Sequence, residues 1–77
     1  MNELINQLNY FFGDKSLEIN LIGPAEINIV LKDQDDAPQL SQDLQNHIVQ
    51  IVNEDTLAKI NFVNGEGKTL DSFALNQ

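Results

Sequence analysis

Between residues 16 and 32 the chain alternates apolar and polar side chains at a period of two, twice over. Leu17, Ile19 and Leu21 alternate with Glu18 and Asn20, and Ile27, Ile29 and Leu31 alternate with Glu26, Asn28 and Val30. Successive side chains of a strand point to opposite faces, so each run predicts a strand with one buried face. Strands over 16–22 and 26–32 then form a hairpin. Register follows from the pattern: the apolar sets share a face if Leu21 faces Ile27, Ile19 faces Ile29 and Leu17 faces Leu31. Gly23-Pro24-Ala25 is left as a three-residue loop. A two-residue loop would set Leu21 opposite Glu26 and mix the faces. The outer face, with Glu18, Asn20, Glu26 and Asn28, reads as solvated.

The segments on either side have a different period. Leu4, Leu8 and Phe11, with Ile5 and Phe12 beside them, predict a helix over 2–12 that Gly13 ends. Leu40, Leu44, His47, Ile48 and Ile51 form one stripe of a longer helix over 37–53, with Val49 roughly opposite. Asp36 and Gln39 are placed to cap it, and Pro38 in the first turn removes no intrahelical bond. A second hairpin is expected over 57–63 and 69–75, around Asn64-Gly65-Glu66-Gly67. Ala58, Ile60 and Phe62 alternate with Lys59, Asn61 and Val63. Leu70, Phe73 and Leu75 do not keep one parity, which calls for a bulge near Asp71-Ser72.

The expected fold class is α+β. The order is α-β-β-α-β-β, giving a four-stranded, mostly antiparallel sheet with both helices packed on one face. Its length of 77 residues makes residues 1–77 a single domain with a thin core. Whether Phe12, Val30, Val49 and Val63 face that core or a partner is open at this level.

Several chemistries are excluded or weakened by composition. There is no cysteine, so neither disulfides nor thiolate zinc sites are available. No run of about 18 apolar residues exists to span a bilayer, and Met1-Asn2-Glu3-Leu4 has no basic region of a signal peptide. A cytoplasmic location is expected. Twelve acidic residues against four lysines, with a net charge of −8 and no arginine, argue against direct nucleic-acid binding and against an anionic membrane surface. The same charge favours a partner with a basic surface, or simple solubility. Asn and Gln make up 17 of the 77 residues. They are interleaved with apolar positions, unlike a prion-like tract.

No motif supports catalysis. His47 is the sole histidine and falls on a helix stripe, where a residue at the core margin is the expectation. Ser16, Ser41 and Ser72 lack a nucleophile-elbow context. Asp33-Gln34-Asp35-Asp36 fails the calcium-loop pattern, because Pro38 and Leu44 stand where glycine and glutamate are needed. Asn64-Gly65-Glu66-Gly67-Lys68-Thr69 lacks the first glycine of a phosphate loop and reads as a turn. Glu18 and Glu26 lie near each other on an open face with no pocket to tune them. No catalytic residue, metal site or cofactor is expected. A cleft of about 300 Å³ or more is hard to fit beside so small a core, and a ligand site would have to lie around His47.

The expected function is that of a small acidic protein-binding module. It would dock on a larger protein with a basic surface, a nucleic-acid-processing protein being one candidate, and modulate or inhibit it. This profile is common among bacterial and phage accessory factors, a likeness of composition that carries no motif. Glu18, Glu26, Asp33, Asp35, Asp36 and Asp43 are the candidate acidic face, which in a sharper version would mimic nucleic-acid phosphates. Strand edges offer a second route, by strand addition or by pairing into a homodimer. The alternative function is an assembly subunit that forms a homo-oligomer, and behind it a small-ligand-binding domain.

Overall fold

The computed structural model describes residues 2–51 and 57–75, apart from the side chains of Asn2 and residues 49–51. The described residues form α1 (Asn2–Phe12), β1 (Ser16–Gly23), β2 (Glu26–Leu31), α2 (Ala37–Ile51), β3 (Ala58–Val63) and β4 (Thr69–Leu75). Short 3₁₀ turns cover Gly13–Lys15 and Gln34–Asp36. The α+β class and the expected element order hold. The predicted end of α2 at residue 53 and the side chains of Val49 and Ile51 lie outside the described residues.

The sheet is four-stranded, in the order β1-β2-β3-β4. Both hairpins are antiparallel, while β2 and β3 run parallel. The parallel pair follows from connectivity: a strand that leaves through a helix and returns beside itself must run the same way. β2 and β3 are also the most β-branched strands, which suits the two central positions. The core lies between the sheet and the helices. Leu4, Leu8 and Phe12 from α1, and Leu40, Leu44 and Ile48 from α2, are buried with Ile27, Ile29, Leu31, Ala58, Ile60, Phe62 and Leu75. Phe12 is therefore a core residue, and Phe11 is only half-buried. The Phe12 ring meets Phe62 edge-on at 5.9 Å between centroids. Gly13, at φ 57°, ends α1 as expected.

Register holds in the middle of the first hairpin and departs at both ends. Leu21 faces Ile27 and Ile19 faces Ile29, but Ser16, not Leu17, faces Leu31. One extra residue, Leu17, bulges out of β1 there. At the other end Gly23 faces Glu26, so Pro24-Ala25 is a two-residue turn and not a three-residue loop. Ile22 is the second extra residue. Its bulge restores the face that a short turn would otherwise have mixed. In the second hairpin the bulge falls at Leu70, between the pairs Phe62–Asp71 and Val63–Thr69. It lies just before the expected position and turns Leu70 onto the core.

Connections show one further correction. Asp33, rather than Asp36, accepts from the Asp35 backbone N–H at 3.0 Å and caps the 3₁₀ turn leading into α2. Gln39 donates forward to Asp43 at 2.8 Å and does not reach back. The second turn is tied by the Asn64 carboxamide oxygen, which accepts from the backbone N–H of Glu66 (2.9 Å) and of Lys68 (3.0 Å). Gly67, at φ 88°, supplies its left-handed residue.

Candidate functional site

The outer sheet face, opposite the helices, is assembled from residues that the register sets side by side. Asn20, Asn28, Asn61 and Ser72 form one row across all four strands. Glu18, Val30, Val63 and Thr69 form the next row, and Glu26, Lys59 and Ala74 flank the first on its other side. The face was expected to be solvated, yet its centre is closed. Asn61 is only 6% exposed. Its Nδ2 donates to Glu26 Oε2 at 2.7 Å and to Asn28 Oδ1 at 2.9 Å. Both N–H groups of Asn61 are thus used inside the sheet, and one carboxylate oxygen of Glu26 is engaged. Val63 is buried on the same face.

The six candidate acids do not share one surface. Glu18 and Glu26 lie on the outer face of the sheet. Asp33, Asp35 and Asp36 are exposed on the β2–α2 connection. Asp43 sits on α2, in the helix layer on the other side, where it accepts from Gln39. A continuous strip of carboxylates spaced like phosphates is not formed by these residues. His47 is exposed, its ring tilted against Phe11 at 5.3 Å between centroids.

A volume of about 360 Å³ does exist, away from His47. It is an open depression beyond the carboxyl ends of β2 and β3, between residues 31–34 and 64–66. Lys32, Asp33 and Glu66 bring charge to it, and Asn64 donates to Gln34 across it at 3.4 Å. Among the described residues no cluster of three or more His, Cys, Asp or Glu side chains could hold a metal ion.

The feature that sequence reasoning missed is apolar. Leu17, Leu21 and Ile22 are 60%, 46% and 51% exposed, all on the edge strand β1. The bulges explain two of them, since Leu17 and Ile22 are the residues squeezed out of the ladder. Leu21 points to the helix side, opposite buried Ile27, but lies at the margin of the core. A signal was present for one bulge: the adjacent pair Leu21-Ile22 breaks the period of two. Nothing local marks Leu17. Tyr10 on α1 and Leu57 before β3 are also exposed, at 89% and 55%.

No helix among the described residues is long and apolar enough to cross a membrane. Comparison of the chain with protein-family models, with curated proteins and with solved structures yields no match.

Proposed function

We propose that this chain is a small acidic binding module that docks on a larger protein with a basic surface and modulates or inhibits it. One observation carries the reading: three exposed aliphatic side chains, Leu17, Leu21 and Ile22, gather on an edge strand that also bears Glu18. Aliphatic side chains left in water on an unpaired strand offer apolar area that a partner can bury. A net charge of −8 steers a basic partner into encounter, and burial of the aliphatic residues then holds it. A cytoplasmic, nucleic-acid-processing protein has the basic groove that such a charge selects. Because the six candidate acids are divided among three places, docking through the apolar edge is favoured over phosphate mimicry.

The alternative is a homo-oligomer built through the same edge. It has to bring a second net charge of −8 against the first, which opposes association at low salt.

Affinity capture from cell lysate, at about 0.05 M and about 0.5 M salt, tests the reading. The expected result is one stoichiometric partner, weakened at high salt and lost with the double variant Leu17→Ser and Ile22→Ser. Recovery of the chain alone as a defined oligomer would instead establish the assembly role.

A further inference from the structure

We propose that the free edge of β1 receives an extended segment of the partner, alternating basic and apolar, as a fifth strand over Glu18–Leu21. The inference rests on the docking function proposed above and specifies its chemistry. Among the described residues β1 ends the sheet, so one side of its backbone has no neighbouring strand there and presents unpaired N–H and C=O groups. Regular pairing is limited to Glu18–Leu21, because Leu17 and Ile22 bulge on either side.

The side chains over those four positions define what fits. On the helix side the row Phe73, Ile60, Ile27, Leu21 crosses the whole sheet. Its interior members Ile27 and Ile60 are fully buried, while Leu21 at the β1 end is 46% exposed. The apolar row simply stops there. An incoming strand with apolar residues opposite Ile19 and Leu21 would extend it and remove that surface from water. On the outer face the same strand would meet Glu18 and Asn20. A basic side chain opposite Glu18 is the complementary cross-strand partner, and a second basic or polar one suits Asn20. The pattern is therefore basic-apolar-basic-apolar, from a segment able to lie extended. Charge separates this occupant from a second copy of the chain, which would bring eight further net negative charges to the edge.

The test is a synthetic peptide of alternating lysine and valine, titrated onto the full chain. Its fully N-methylated form and a block-ordered isomer of the same composition serve as controls. The alternating peptide is expected to bind in the high-micromolar to millimolar range. Affinity should fall by about tenfold or more on N-methylation, which removes the donors for strand pairing, and severalfold in Glu18→Lys. Leu21→Lys, checked for native circular dichroism, should bind more weakly still. Equal affinity of the N-methylated peptide would overturn strand addition while leaving side-chain docking intact. No binding at about 1 mM would also overturn it, and a partner captured from lysate through Leu17 and Ile22 would then still support the docking function. A dimer of the free chain that Leu21→Lys dissolves would give the edge to a second copy and refute the proposal.

Discussion

The two edges of this sheet are strands of similar length, eight residues in β1 and seven in β4, with opposite treatment of their apolar residues. In β4, Leu70 and Phe73 pack against the core and Leu75 is buried. Asp71 faces the helix side there, opposite buried Phe62. In β1, Leu17, Leu21 and Ile22 remain exposed. An inward-facing charge on an edge strand makes a further strand expensive, because adding one would desolvate that charge. β4 has this guard, and the helix side of β1 has only Ile19 and Leu21. Both edges carry bulges, so bulging alone does not separate them. The difference lies in where the bulge sends its side chain: Leu70 inward, Leu17 and Ile22 into solvent.

The largest effect is expected between the two edges, at the buried amide of the central strands. Asn61→Asp would exchange two donated hydrogen bonds for a carboxylate facing Glu26, and should destabilise the fold by about 3 kcal/mol or more in urea denaturation. For a chain this small that is a large part of the total, about 4–12 kcal/mol. Next, the two ends of one apolar row should respond unequally. Phe73→Ala should lower stability by about 2–3 kcal/mol, since its ring lies 6.2 Å from that of Phe62 and packs on the core. Leu21→Ala should lower it by about 1 kcal/mol or less. Equal losses would erase the distinction between the edges.

Smaller still, Leu17→Ser and Ile22→Ser should each change the unfolding free energy by about 0.5 kcal/mol or less, while the two together abolish capture of the partner. A large loss of stability would show instead that these side chains serve the fold. Asp71→Val should also leave stability within about 1 kcal/mol, yet produce concentration-dependent self-association by light scattering. If the variant stays monomeric, Asp71 is not what keeps β4 closed.

Much of the fold was legible because period and turn chemistry are local. The spans of α1 and of all four strands follow from alternation, from the 3.6-residue stripe and from Gly-containing turns, to within a residue at each end. The pairs Leu21–Ile27 and Ile19–Ile29 were legible for the same reason. What failed involves choices settled by tertiary contact. A bulge at Leu17 leaves the sequence pattern unbroken, because alternation describes which residues differ and not which one is skipped. The capping role passed from Asp36 to Asp33 because a 3₁₀ turn precedes α2, and either acid satisfies the same local rule. Asn61 reads as a surface amide, and only its neighbours Glu26 and Asn28, more than thirty residues away in sequence, make it a buried one. The acidic face failed most plainly, since the sequence pattern could not say that the sheet lies between Asp43 on α2 and Glu18 on the outer face.

Backbone hydrogen exchange of the two edge strands, with and without the alternating lysine–valine peptide, tests the central claim most directly. Bound peptide should slow exchange at amides within Glu18–Leu21 and leave Thr69–Leu75 unchanged. Slowing confined to β4, or binding with no protection anywhere in β1, would contradict it.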